Sequence, residues 1–274
     1  MTKRLIVNAD DYCRTPGVSK GIREAHLNGI VTSTSCMMNM TAAEEDIELL
    51  LREAPGLQMG VHLVLTSAPP LLPIDKVRTL VDEYGKFFTY EPFLDHLELI
   101  DSDEVLAEWI AQIEKFISVS GKKPTHLDSH HHSSYFYEPF FERMLQLAQD
   151  LGCPIRYPVE QSGDELAGMP PKVFDDVKEF LPRMHKQTSI KAPDNFISSF
   201  YDLTATHEEL DSILEGLPDN TSELMCHPGY ADEQIISGSI YARQRQRELD
   251  ILTSQKAKDQ VRKLEIELIS FEDL

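Results

Sequence analysis

Polar side chains that could perform catalysis follow several short apolar runs of the chain. Asp10 and Asp11 end the first run, His62 lies in a later one, and the tract 126–132, His-Leu-Asp-Ser-His-His-His, ends another. His227 follows a run near the end of the chain and precedes Pro-Gly. Imidazole and carboxylate groups form mixed metal sites that suit zinc and also manganese, iron, cobalt or nickel. The same groups act as general acids and bases. The residue types therefore predict metal-assisted or acid–base chemistry.

The two adjacent acids follow a buried run, which places both carboxylates at the edge of a sheet. A carboxylate at such a position needs a partner to offset its desolvation. Neighbouring residues at a strand end point in different directions, so one of Asp10 and Asp11 can face a metal while the other faces substrate or water. A helix N-cap with a solvated turn is the alternative interpretation of this pair.

The histidine-rich tract supplies more imidazoles than an ordinary fold needs. If the strand stayed regular, His126, Asp128, His130 and His132 would share one face. The ring of His227 titrates near neutral pH, and this favours a role as general acid. A turn histidine without a role is the alternative for His227.

The elements that must position these residues alternate between short apolar runs and longer helical patterns. The predicted strands are 5–9, 31–38, 57–65, 124–129, 153–157, 223–226 and 264–269. The predicted helices are 16–28, with Thr15 as N-cap, and 44–52, 103–117, 139–151, 206–214 and 242–258.

This alternation predicts parallel strands joined by helical crossovers. About seven or eight such units favour an α/β fold with an irregular (β/α) barrel as a single domain, 1–274, with a doubly wound open sheet as the alternative. In either architecture the carboxyl ends of the strands meet at one mouth, so the polar clusters should converge there.

The segment at about 67–101 departs from the alternation. It carries four prolines and five aromatic residues. Long excursions from a compact domain are usually functional lids or disordered segments, and the aromatic residues argue against disorder. We expect a lid-like or subunit-contacting insertion, with a merely packed excursion as the alternative.

Composition excludes several classes of protein. The chain of 274 residues has a formal net charge of -20, which repels phosphate backbones and anionic lipid. The four scattered cysteines favour reduced thiols in a cytosol. Neither a secretory signal nor a membrane span is evident from the sequence. We therefore expect a soluble, cytoplasmic protein with no nucleic-acid or membrane partner.

At the clusters described above, the sequence resembles the YdjC family of carbohydrate deacetylases, which includes chitooligosaccharide deacetylases. The resemblance covers essentially the whole chain, and the histidine tract combined with the Asp-Asp strand end is its most specific part. The chain departs from the family where Tyr12-Cys13 replaces the frequent Phe-Gly. The matching stretches are 7–12, 28–34, 60–66, 123–132 and 225–228.

The resemblance implies an irregular (β/α) barrel related to that of NodB-type polysaccharide deacetylases, and an Asp-His-His metal site. Carried onto this chain, Asp11, His62 and His126 would hold the metal. Asp10 would be the general base, and His227 the acid by analogy with the wider superfamily. The implied cofactor is one divalent metal ion, zinc or magnesium foremost, with manganese, cobalt and nickel open.

The implied reaction is hydrolysis of the N-acetyl group of a small amino sugar, such as chitobiose or a chitooligosaccharide, with release of acetate. Arg156 ends a predicted strand and could orient Asp10 or contact substrate, a surface arginine being the alternative. His130 could line the substrate site or make a structural hydrogen bond. The identity of the sugar and its phosphorylation stay open, and so does the choice between a monomer and a homodimer.

Two other functions are compatible with parts of the pattern. His126-Leu127-Asp128 mimics the His-x-Asp pair of non-haem iron oxygenases, although those sites usually lie in all-β jelly rolls. A non-catalytic sugar-binding protein would keep the aromatic segment but would not need Asp10 beside a metal ligand.

Overall fold

Seven strands form one parallel sheet in a computed structural model that describes residues 2–158 and 170–274. All the strand pairs within these ranges are parallel. The strands are β1 Arg4–Tyr12, β2 Ser33–Cys36, β3 Gln58–Leu63, β4 Leu127–Ser129, β5 Asn195–Ile197, β6 Thr221–Cys226 and β7 Glu267–Ile269.

The strand order places β1 near the centre of the sheet. The order is β4-β3-β2-β1-β6-β5, and β7 pairs with the first half of β1. Parallel pairing and the surrounding helices give a half-barrel, which confirms the predicted (β/α) fold class. Because parallel strands share one direction, the residues that follow β1, β3, β4 and β6 lie at the same edge of the sheet.

Ten α-helices of the described ranges surround or extend this sheet. Their bounds are α1 Pro16–Asn28, α2 Ala43–Glu53, α3 Tyr90–His96, α4 Ser102–Ser120, α5 Glu138–Leu151, α6 Phe174–Lys186, α7 His207–Gly216, α8 Glu233–Gly238, α9 Arg243–Leu252 and α10 Gln255–Lys263.

Local capping signals position several helix ends. The side chain of Thr15 accepts a hydrogen bond from the Val18 amide at the start of α1, as predicted. The helix predicted over 242–258 is instead two helices, because the Ser254 side chain caps a new one by accepting a hydrogen bond from the Ala257 amide. A capping serine between two helical patterns is a start signal in its own right.

Some strands of the structure are shorter than the apolar runs that predicted them. The run 153–157 contributes a single bridge between Ile155 and Leu127, and the run 124–129 pairs only from Leu127. The strand β5 was not predicted, because its three residues carry no repeating pattern of their own. Helices α3, α6 and α8 were also missed.

The core lies between the sheet and the helices. Trp109 and Phe116 of α4 and Phe140 and Phe141 of α5 are fully buried there. The four cysteines all lie in the described ranges and are buried free thiols. Among the helices of these ranges, none has the length and apolar character needed to cross a membrane.

Candidate active site

The two adjacent acids lie on an irregularity of the central strand. The register between β1 and β2 shifts between Ala9 and Tyr12, and Asp11 has a φ of 71°. A bulge re-aims the side chains that it carries. Asp10 and Asp11 are both buried, at 2% and 1% exposure, yet both line the same cavity. The bulge therefore presents two neighbouring carboxylates to one space.

The cavity at this edge of the sheet has a volume of about 830 Å³. Such a volume is within the range of small-molecule sites. Five of the seven candidate catalytic, metal-binding and substrate-binding residues line it, namely Asp10, Asp11, His62, His130 and His227.

Asp11 faces two imidazoles inside this cavity. Its Oδ1 lies 2.9 Å from His130 Nδ1 and 3.5 Å from His62 Nε2. All three side chains are buried, and Asp11 Oδ1 is a buried atom without a well-formed hydrogen bond among the described residues. A carboxylate and two imidazoles are the donor set of many zinc enzymes. These residues fit a divalent metal.

His62 is held in place by a second carboxylate. Its Nδ1 lies 2.8 Å from Asp128 Oδ1, and Ser35 donates a hydrogen bond to Asp128 Oδ2 at 2.9 Å. Burial opposes protonation of His62, but the neighbouring carboxylates of Asp128 and Asp11 prevail and raise its pKa to about 10. Such a carboxylate partner fixes the orientation of a metal-binding imidazole. A metal bound at Nε2 would replace the proton that this nitrogen carries without the metal.

The carboxylate of Asp10 is bound by the side chain of Arg156. Arg156 donates to both carboxylate oxygens, at 2.7 and 2.6 Å, and Asn8 donates to Oδ1 at 2.8 Å. Burial raises the pKa of Asp10, but the Arg156 charge and hydrogen bonds outweigh it and hold that pKa well below its usual value. Asp10 is therefore an ionised carboxylate of fixed orientation.

Arg156 itself does not reach the cavity. It is completely buried, and it also pairs with Glu223 at 2.7 Å and Asp128 at 3.1 Å. Of the roles considered for Arg156, orientation of Asp10 matches these contacts, whereas substrate contact does not. Because the guanidinium already bridges Asp10 and Asp128, the nearby group of Asp10, His62 and Asp128 is a poorer metal site than the group around Asp11.

His126 lies away from this site. The strand β4 ends at Ser129, so His126 precedes the strand and His130 follows it. The His126 ring stacks on Phe271 at 3.8 Å, and its Nδ1 contacts Thr125 Oγ1 at 3.1 Å. The geometry therefore groups His130, and not His126, with Asp11 and His62.

The histidine tract leaves the strand as a tight turn. Residues His130–Tyr135 form a short 3-10 helix in which His131 and His132 have φ values of 55° and 56°. The predicted common face therefore ends at β4. The turn stacks His131 on His130 at 3.9 Å and lets both rings line the cavity.

His227 closes another side of the cavity. Its ring packs edge-on against Tyr201 and Tyr241, and its Nδ1 is buried without a partner among the described residues. Burial lowers the pKa of His227 to about 4, although Asp10 opposes this shift. The imidazole is therefore neutral at pH 7.

The segment after β3 contributes a further part of the wall. Ser67, Thr89 and Tyr90 line the cavity, and the Tyr90 ring lies edge-on against His131. Glu108 anchors the segment by accepting hydrogen bonds from the amides of Leu71 and Leu72.

Several charged residues at this site carried little signal in the sequence. A glutamate inside the apolar run of β6, Glu223, was one available signal, because a buried charge needs a partner. Arg14, Arg245 and Glu248 carried no such signal, since charged residues on helices and turns are usually solvated.

A parallel half-barrel with buried carboxylates and imidazoles at the carboxyl ends of its strands defines an α/β protein with an enzyme-like cavity. The model of the YdjC-like protein family matches residues 4–263. The chain belongs to this family.

Its relatives span the whole length of the chain. A carbohydrate deacetylase of Clostridium beijerinckii is 36% identical over 99% of this chain and 100% of its own. One from Enterococcus faecalis is 34% identical over 99% and 98%.

Solved structures are similar as well. A crystal structure from Enterococcus faecalis, of a candidate cellobiose-phosphate cleavage protein, superposes with a TM-score of 0.87 at 32% identity and covers 100% of this chain and 99% of that one. The Xyl-CE4 domain of a xylanase from a Trinervitermes trinervoides hindgut metagenome has a TM-score of 0.52 at 5% identity, over 100% of this chain and 89% of that one, and so shares the fold alone.

Proposed function

We propose that this protein is a metal-dependent deacetylase that hydrolyses the N-acetyl group of a small amino sugar. The observation that carries the proposal is the buried group of Asp11, His62 and His130 beside the ionised Asp10, in a cavity of about 830 Å³. The names of the relatives as carbohydrate deacetylases support the reaction class.

Asp11, His62 and His130 would hold the metal, with His130 in the place first expected for His126. A bound divalent metal polarises a carbonyl and makes water more acidic. Zinc and magnesium remain the foremost candidates, and the donor set of two imidazoles and one carboxylate fits zinc better, since magnesium prefers oxygen ligands.

Asp10 is the proposed general base. Its carboxylate is ionised and held by Arg156, so it can accept the proton of the attacking water without first losing one of its own. Its lowered pKa makes it a weak base, and a fixed orientation compensates for this because a positioned group needs no further ordering. Arg156 is then a positioning residue that acts through Asp10.

His227 is the proposed general acid. Its neutral ring at pH 7 must gain a proton before it can protonate the departing amine. Asp10 exerts a charge interaction on His227, and a carboxyl that has taken the water proton is a nearby source. The net reaction adds water across the amide, breaks the C–N bond, and yields acetate and the protonated amine.

The lid-like role of the segment 67–101 remains part of the proposal. It rests on Ser67, Thr89 and Tyr90, which line the cavity. The parallel α/β fold and the position of His126 beside Phe271 disfavour the oxygenase alternative, since the mimicked His-x-Asp pair does not face the cavity.

Acetate release from N,N'-diacetylchitobiose tests the function. We expect the metal-loaded protein to release acetate and Asp10→Asn to lose about a hundredfold or more in rate, because proton-transfer roles contribute about 10²–10⁴-fold. Asp250→Asn, an exposed acid on α9, is the matched control and should keep full activity. Metal content and unfolding of each variant should be measured alongside.

Undiminished turnover in Asp10→Asn would leave the deacetylase but exclude Asp10 as its base. If no acetate appears with zinc, magnesium, manganese, cobalt or nickel, chitobiose is not the substrate, and phosphorylated chitobiose is the next to assay. Sugar binding without any turnover in the metal-loaded protein would favour the binding-protein alternative.

A further inference from the structure

Two arginines lie against a single carboxylate on the wall of the cavity. Arg245 Nη2 donates a hydrogen bond to Asp11 Oδ2, and Arg14 Nη1 lies 3.7 Å from the same oxygen. Both arginines line the cavity. Guanidinium groups stay protonated in proteins, so this pair carries one more positive charge than Asp11 can balance.

Arg245 has a donor that no described residue satisfies. The residue is 2% exposed. Its Nε donates to the Tyr241 carbonyl at 3.0 Å and its Nη2 to Asp11, whereas its Nη1 is buried and has no acceptor. A buried charged donor without an acceptor is costly. Its position on the cavity wall indicates that the acceptor comes from a ligand.

Arg14 lies on the same wall of the cavity as Arg245. Its Nη1 lies 3.1 Å from His130 Nε2 and 3.7 Å from Asp11 Oδ2. A guanidinium has five N–H donors, and the Arg14 side chain is 15% exposed. Arg14 therefore keeps donors that can reach an anion in the cavity.

The nearby acids of the described ranges are already engaged. Both oxygens of Asp10 accept hydrogen bonds from Arg156. The oxygens of Glu248, one turn beyond Arg245, accept hydrogen bonds from the Tyr241 hydroxyl and from the His227 amide. These contacts leave neither acid free to neutralise the arginine pair.

We infer that Arg14 and Arg245 form an oxyanion site for the carboxylate that the reaction releases, acetate in the case of an N-acetyl substrate. The identity of this ligand rests on the proposed function. An amide substrate is neutral, while its product carries the missing negative charge beside Asp10 and Asp11. Arginine recognises carboxylates through charge-assisted hydrogen bonds, so acetate should also act as a product inhibitor.

Direct acetate binding tests this site without requiring turnover. Sodium acetate is titrated calorimetrically into zinc-loaded and metal-free protein, for the wild type, Arg14→Gln and Arg245→Lys. We expect each variant to bind acetate at least about tenfold more weakly, the effect of losing one hydrogen bond to a charged group. Arg243→Gln, an exposed arginine on the same helix, is the matched control and should bind as the wild type does.

Equal acetate binding in the wild type and both site variants would overturn the inference. An equal loss in Arg243→Gln would also overturn it, because the effect would then come from overall charge. Displacement of acetate by inorganic phosphate at less than about a tenth of its concentration would assign the pair to a phosphate-bearing ligand and exclude the carboxylate assignment. If Arg245→Lys does not fold, Arg14→Gln decides, since the Arg14 side chain is 15% exposed.

Failure of this inference is distinguishable from failure of the proposed function. Acetate binding that depends on the two arginines, in a protein that deacetylates nothing, would keep the site and reject the function. Turnover in the wild type, with normal acetate binding in both arginine variants, would keep the function and reject the acetate site.

Discussion

At the scale of single residues, ionisation at this site is set by specific neighbours rather than by exposure. Asp10 and Asp11 are both buried, which by itself favours the neutral carboxyl, yet the pKa of each is lowered because cationic partners outweigh burial. For His130 the balance is the opposite. Burial and the adjacent His131 outweigh the Asp11 carboxylate and lower the pKa of the His130 ring well below its usual value. A neutral imidazole beside an ionised carboxylate is the protonation state that metal binding requires.

The two candidate ligands of the histidine tract can be separated by measuring metal content. We expect His130→Asn to weaken zinc binding by about tenfold or more, because it removes a nitrogen that faces Asp11 Oδ1. Mutation of residues that only hydrogen-bond to a metal ligand already lowers metal affinity by about 10–100-fold. His126→Asn should keep the zinc and lose conformational stability instead, since its ring stacks on Phe271. Zinc competition with a chromogenic chelator measures the first effect, and urea unfolding measures the second.

Loss of zinc from His126→Asn with retention in His130→Asn would restore the ligand set implied by the resemblance. Retention of zinc in both variants would show that neither His126 nor His130 is a metal ligand.

At the scale of elements, strand ends decide which side chains meet. The bulge of β1 turns Asp10 and Asp11 toward the cavity, and the end of β4 at Ser129 separates His126 from His130. Adjacent strands β3 and β4 pair His62 with Asp128, which explains their hydrogen bond. The geometry of the proposed metal site therefore depends on the register of this sheet.

The His126 ring packs against Gly60 of β3, where a larger residue would clash with it. A Cβ at Gly60 would lie 2.3 Å from His126 Cε1 and 2.4 Å from Nδ1. We expect Gly60→Ala to lower the free energy of unfolding by about 1–3 kcal/mol, the usual range for overpacking a core. Urea unfolding monitored by circular dichroism measures it.

Gly216→Ala is the matched control, because a Cβ there meets nothing within 4 Å. Its unfolding free energy should be unchanged or slightly higher. A Gly60→Ala variant as stable as the wild type would show that the His126 ring moves freely and is not packed between Gly60 and Phe271.

At the scale of the whole molecule, buried acids add a pH dependence that differs from the usual acid denaturation. Burial raises the pKa of Glu223 to about 7 from an ordinary value of 4.5, although Arg156 opposes the shift. Between these two values the folded state binds more protons than the unfolded state. The contribution of Glu223 to stability is therefore full below pH 4.5 and is lost as the pH rises through about 7.

Glu223→Gln should flatten this dependence. We expect the unfolding free energy of the wild type to fall more steeply between pH 4.5 and about 7 than that of Glu223→Gln, as measured by urea unfolding at several pH values. Glu83→Gln, an exposed glutamate, should reproduce the wild-type slope. Parallel curves for the wild type and Glu223→Gln would mean that Glu223 is ionised throughout this range.

The sequence by itself determined the features that depend on local signals. The buried run before Asp10 predicts the central strand, and Thr15 with Pro16 predicts the start of α1, because apolar runs and caps act over a few residues. The parallel α/β class followed from the same alternation, and the family from motifs along the chain. The convergence of Asp10, Asp11, His62 and His227 could also be expected, since parallel strands end at one edge.

Only the tertiary structure decided which partners those residues have. Arg156 is 146 positions from Asp10, and Arg245 is 234 positions from Asp11; no local pattern links such pairs. His130 rather than His126 faces Asp11, because β4 ends between them and Phe271, from the far end of the chain, takes the ring of His126. Contacts between distant segments form when the sheet assembles, so the charge state of this site and its proposed ligand set are properties of the fold.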